Sequence, residues 1–247
     1  MMLPHRAHRR LKPMRRSLIP LLAFVAALEG LLFLFLPAVL RAGVTLDAQL
    51  LQALGQTAPV VYDDFLHLGG SVIGLALPPV DYRTLTVLVA SGIALIAIVS
   101  AIRLPLPIRY GVNLHLILLT AAAVYLLIGT APGYDGTEFS ALMVHTALLT
   151  IPVLALFAAA MGVLLPLTLA ETIGFVLTAV AYDAVLALLR YAVFLIVAAH
   201  LGAIVLPLLY MLYGPLLDVL PVGMILMVLL TRVSARLQRT PEAWQWM

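Results

Sequence analysis

The sequence predicts an all-α, polytopic membrane protein: one bundle of about six transmembrane helices with an outer amphipathic or re-entrant segment. Three observations carry this. Hydrophobic residues make up 64% of the 247 and charged residues only 10%, more apolar surface than a water-soluble domain can bury. Apolar runs recur at the length, roughly 20 residues, that crosses a hydrocarbon core about 30 Å thick. The few charges gather between those runs, with the basic ones concentrated in alternate connections.

Residues 1–16 form a basic arm. They carry Arg6, Arg9, Arg10, Lys12, Arg15 and Arg16, and no acid. A basic balance can indicate nucleic acid, but an arm just ahead of an apolar run is explained by topology. Cytoplasmic flanks collect Lys and Arg, and the anionic inner leaflet holds them. The partner expected for this arm is therefore the lipid bilayer and not nucleic acid. The first span runs over about residues 17–40. Its apolar run is longer than the 7–15 residues of a secretory signal core, and Leu40-Arg41-Ala42-Gly43 is a poor cleavage context. An uncleaved signal anchor with the amino terminus inside is expected.

Residues 44–80 form the outer segment. Val44, Leu46, Leu50, Leu51 and Leu54 recur at helical spacing against Asp47, Gln49 and Gln52, which predicts a short amphipathic helix in the outer interface. The run from Phe65 to Val80 holds Gly69, Gly70 and Gly74 and closes on Pro78-Pro79. It is short for a lipid-facing span. It reads as a re-entrant element, or as a helix packed on the outside of the bundle.

The second span covers about residues 84–102. Arg103-Leu104-Pro105-Leu106-Pro107-Ile108-Arg109 makes a tight inner turn, and the third span follows over about 110–131. Pro132-Gly133-Tyr134-Asp135-Gly136 is an outer turn. The fourth span covers about 140–165. Residues 167–231 allow two readings. In one, 168–188 lie along the inner interface and the last two spans are 189–212 and 216–231. In the other, two longer tilted spans cover 173–200 and 204–231. Residues 17–231 thus make one transmembrane domain, and 232–247 a cytoplasmic tail with Arg232, Arg236 and Arg239.

Charge counting sets the orientation. With both termini inside, eleven basic residues lie on the cytoplasmic side, against Arg41 and Arg83 outside. The outer acids are Asp47, Asp63, Asp64, Asp81, Asp135 and Glu138. That is the positive-inside pattern of a bacterial inner-membrane protein. A further span at 59–80 would break it.

Chemistry is sought at ionisable residues inside spans, where they are costly and usually functional. Glu29 sits midway along the first span, where it reads as a proton relay, a docking point for another subunit, or a helix–helix hydrogen bond. Asp183 and Arg190 are seven residues apart, on one helical face. They read as an ion pair lining a path, or as the polar side of an interfacial helix. Asp63, Asp64 and His67 form a D-D-x-x-H cluster, and Glu138 and His145 share a face on the same side. Asp and His are ordinary ligands of divalent metals, so this cluster is the candidate metal site, with helix caps and interface hydrogen bonds as the alternative. His115 and His200 are isolated intramembrane histidines, expected to bond neighbouring helices. Facing each other, they would be the haem ligands.

Gly70-x-x-x-Gly74, Ala155-x-x-x-Ala159 and Ala158-x-x-x-Gly162 are small-residue patterns that let helices approach closely. The absence of cysteine removes disulfides, thiolate metal sites and cysteine nucleophiles. There is no P-loop, dinucleotide fingerprint or H-E-x-x-H, and Val89-Ala90-Ser91-Gly92 lacks the features of a serine nucleophile. No catalytic residues and no resident cofactor are expected. The expected role is a non-catalytic membrane subunit or scaffold of a larger complex, with other membrane subunits as partners. A small transporter or channel component for protons, ions or a small solute is the first alternative. A metal-dependent membrane enzyme using the outer Asp/His site is the second.

Overall fold

A computed structural model of the chain describes residues 9–11, 19–63, 70–129, 135–165, 167–238 and 244–246. It is mostly helical, and five helical segments are long and apolar enough to cross a membrane: Ile19–Ala53, Tyr82–Ala101, Leu106–Leu127, Gly136–Leu164 and Leu169–Val205. The chain divides into two compact units. One holds Met1–Leu32, Ile151–Asp183 and Val219–Met247, and the other Phe33–Thr150 and Ala184–Asp218.

Helix α1 (Ile19–Ala53) is continuous, which corrects the expected break between a first span and an interfacial helix at 44–54. At 1.5 Å per residue it is about 52 Å long, well beyond a hydrocarbon core. The amphipathic pattern exists, but its buried residues are Val44, Ala48 and Leu51, packed in a protein core rather than against headgroups. Leu46, Leu50 and Leu54 are exposed. Gly43 lies so close to Leu188 that a Cβ there would collide with it. The helix ends in a Schellman-type cap. Gly55 takes φ +80°, and the amides of Gly55 and Gln56 bond the carbonyls of Gln52 and Leu51 at 2.9 and 3.0 Å.

The stretch expected to form the outer segment is not wholly helical. β2 (Val60–Asp63) and β3 (Gly70–Ile73) pair antiparallel, with Val60 opposite Ile73 and Asp63 opposite Gly70. β-Branched and aromatic residues favour this pairing, and it corrects the all-α expectation for this stretch. Gly70 and Gly74 therefore do not form a helix-packing face. A Cβ on Gly70 would press on the Asp63 carbonyl at 3.0 Å.

Helices α2 (Tyr82–Ala101) and α3 (Leu106–Leu127) form a hairpin across the Pro-punctuated turn. Ile102 is extended at ψ 142°, and Pro105 and Pro107 start α3. Gly92 lets the two helices touch, since a Cβ there would collide with Thr120. Helix α4 (Gly136–Leu164) is capped by Asp135, whose Oδ1 accepts from the Glu138 amide at 2.8 Å.

Helix α5 (Leu169–Leu201) is also continuous, so the version with a separate interfacial helix at 168–188 does not hold. A capping box fixes its start: the Thr168 amide donates to Glu171 Oε2 at 2.7 Å, and the Glu171 amide to Thr168 Oγ1 at 3.2 Å. Gly202, at φ +74°, ends it. A 3-10 turn (Gly202–Val205), a π-helical turn (Leu208–Tyr213) and α6 (Gly214–Gln238) follow. β1 (Arg9–Leu11) pairs antiparallel with β4 (Trp244–Trp246).

The larger core belongs to the second unit and includes Leu51, Ile73, Phe139, Tyr191, Leu195 and Leu206. In the first unit Ala155, Ala158, Ala159 and Gly162 are buried, as their small-residue spacing predicts. There Gly162 sits directly against Thr172.

Candidate functional site

Within the second unit the β2–β3 hairpin is fastened to helices α4 and α5 by its backbone. The amide of Ile73, a fully buried residue, donates to both Ser140 Oγ and Tyr191 Oη, each at 2.9 Å. The two hydroxyls also bond each other at 2.5 Å. Leu75 N–H donates to Thr137 Oγ1 at 3.3 Å. These side chains meet a physical need, because non-helical backbone held among apolar helices must find partners within the protein. Asp47 lies on the same side of the core, its Oδ2 shut from solvent with no hydrogen-bond partner among the described residues.

Asp63, at the end of β2, pairs with His145 of α4 through Oδ2 and Nε2. The two acidic/imidazole groups expected on the outer side are thus joined by one real contact. Asp64 and His67, the other members of the candidate metal cluster, lie outside the described residues. Among the described residues no group of three or more His, Asp or Glu is placed to hold a metal ion.

His115 is engaged at both ring nitrogens. Nδ1 lies 2.7 Å from the Gly111 carbonyl, so it carries the proton, and Nε2 accepts from Tyr213 Oη at 2.8 Å. His200 is exposed and turns Nδ1 onto the Ile196 carbonyl at 2.7 Å. The two rings are held by separate partners, and His115 Nε2 is not open to an iron. Tyr210, on the π-helical turn with Tyr213, lies 3.3 Å from Thr146 Oγ1, which itself donates to the Leu142 carbonyl at 2.7 Å. Each of these chains of donors ends on a backbone carbonyl.

Arg190 is buried and pairs with Asp218, while its Nη1 also donates to the Gly214 carbonyl at 2.8 Å. Nε is buried without a hydrogen-bond partner among the described residues. Seven-residue spacing suggested Asp183, but the acid found on the Arg190 guanidinium is Asp218, brought there by the π-turn and α6. Asp183 belongs to the first unit and is buried there.

In the first unit Glu171 pairs with Arg236. Glu29 is half-buried, and its Oε1 is shut from solvent with no hydrogen-bond partner among the described residues. Ala23, Ala27 and Gly30 are exposed and share another face of α1 at helical spacing, about a third of a turn from Glu29. Around Gly30 a Cβ would meet nothing within 4 Å.

Ser140, Tyr191, Tyr210, Tyr213 and Asp218 are absent from the sequence-based candidates. Their signal is weak but present: hydroxyl-bearing residues inside otherwise apolar runs need internal partners. A scan against family models and searches of curated proteins and of solved structures return no match.

Proposed function

We propose that this multi-pass membrane protein is a non-catalytic subunit or scaffold of a larger inner-membrane assembly, with both termini cytoplasmic. The observation that carries the reading is the exposed small-residue face of Ala23, Ala27 and Gly30 on α1. A small-residue face admits the backbone of another helix. Glu29, about a third of a turn away around the same helix, has one carboxyl oxygen enclosed without a hydrogen-bond partner among the described residues. The basic inner loops support the orientation. α6, the remaining long helix, supplies the sixth crossing.

Two features favour this reading over a proton-conducting one. The tyrosine and histidine pairs of the second unit terminate on the carbonyls of Leu142 and Gly111, which closes them as wires. The Arg190–Asp218 charges neutralise each other. A transporter would carry solute or protons alone in liposomes and lose flux in Glu29→Gln or Asp183→Asn. A metal enzyme would bind metal stoichiometrically and lose it in His67→Ala. The test of the subunit reading is extraction in mild detergent. Wild type should carry a stoichiometric membrane partner, and Gly30→Leu should release it while the chain stays folded. A monodisperse chain free of any partner would overturn the proposal.

A further inference from the structure

The two ends of the chain meet. β1 and β4 pair antiparallel, with Arg9 opposite Trp246, Arg10 opposite Gln245 and Leu11 opposite Trp244. Paired strands lie only about 4.8 Å apart, so β1 and β4 occupy the same side of the bilayer and the chain between them crosses it an even number of times. The register sets two arginine positions, 9 and 10, against β4. In sequence, residues 1–16 carry six basic side chains and residues 219–247 carry Arg232, Arg239 and Arg236, the last already paired with Glu171, while Glu242 is the one acid within the two segments. Both tryptophans of the chain, Trp244 and Trp246, are on β4.

Arginine offers charge and forked donors to phosphate. Tryptophan settles at the headgroup level. Clusters of basic residues at the cytoplasmic end of a span attract acidic lipid. Here β1 is followed within a few residues by α1, and β4 follows closely on α6, so the clasp is tethered to two helices that end at the same membrane surface. Nucleic acid shares the phosphate chemistry, but that tether holds the clasp against headgroups. We propose that the paired termini form a clasp that binds the headgroups of acidic phospholipids, and that this lipid in turn holds the two ends together. The inference rests on the membrane-spanning reading and is independent of whether α1 docks a partner.

The natural absence of cysteine gives a clean test. Arg10→Cys with Gln245→Cys, register partners that leave both tryptophans in place, is reconstituted in phosphatidylcholine vesicles with or without phosphatidylglycerol. Disulfide formation should be several-fold faster with the acidic lipid, and high salt should remove the difference. The pair should be labelled from one side by an impermeant thiol reagent. In native mass spectra the wild-type chain should retain phosphatidylglycerol in preference to phosphatidylcholine, and Arg9→Ala with Arg10→Ala should lessen that preference. Labelling from opposite sides, or no crosslink in either vesicle, overturns the clasp. Equal rates and equal lipid retention overturn the acidic-lipid partner, as does an RNA oligonucleotide that displaces the vesicle effect. A folded, partner-bound chain with no lipid preference would sink this inference alone and leave the subunit reading standing.

Discussion

Breaking the Arg190–Asp218 pair should destabilise the second unit far more than removing it altogether. The Arg190 side chain is only 3% exposed and that of Asp218 12%, so neither charge has water to fall back on. In Asp218→Asn the guanidinium keeps the Gly214 carbonyl but loses its counter-charge. At 4 Å and an effective dielectric near 20 two charges attract by about 4 kcal/mol, and single disruptions of buried pairs cost about 3–5 kcal/mol. Arg190→Met should fall in the same range, because it takes the guanidinium away from the Asp218 carboxylate and the Gly214 carbonyl. The double variant Arg190→Met with Asp218→Leu removes both charges and fills similar volume, so it should recover most of the loss. The assay is reversible unfolding in mixed micelles, read as a double-mutant cycle. If the double variant loses the sum of the two singles, the charges do not act as a compensated pair.

Two more substitutions probe the packing that positions the hairpin and helices. Gly92→Ala drives a Cβ into Thr120 and should cost about 1–3 kcal/mol as overpacking; adding Thr120→Ala should relieve it in the same unfolding assay. Ser140→Ala with Tyr191→Phe strips both acceptors from the Ile73 amide. An unpartnered buried amide costs about 1–3 kcal/mol, and the amides of β3 should then exchange hydrogen markedly faster than in wild type.

The charges and hydropathy made the membrane class and most helix positions legible. Local chemistry decided what periodicity left open. Thr168-Leu-Ala-Glu171 is a capping-box pattern that starts α5 at Leu169, and the unbroken run to Leu201 is what excludes a separate interfacial helix over 168–188. Gly55 marks the end of α1 for the same kind of reason, since its left-handed φ suits glycine. Arg41 and Gly43 suggested a break, yet Gly43 instead serves close packing on Leu188.

The hairpin was harder to read. Val60-Val61-Tyr62 and Val72-Ile73 carry β-propensity, but the surrounding apolar composition masks it, and the acceptors that stabilise β3 come from helices remote in sequence. Pairings such as Asp63–His145, His115–Tyr213 and Arg190–Asp218 depend on tertiary closure. Helical spacing reports only neighbours on one helix, so it offered Asp183 for Arg190 and could not reach Asp218. Glu29 was legible as an acid at membrane depth, but not that one of its oxygens is enclosed without a partner among the described residues.

The central claim is that the outward face of α1 is an interface with another membrane protein. Site-specific photocrosslinking in intact membranes tests it most directly, with the probe at Gly30 and a control at Val87, an exposed residue of α2. The account predicts one crosslinked protein of defined mass from Gly30, absent from Val87 and lost in Ala27→Leu. Crosslinking to lipid alone at both positions would contradict it.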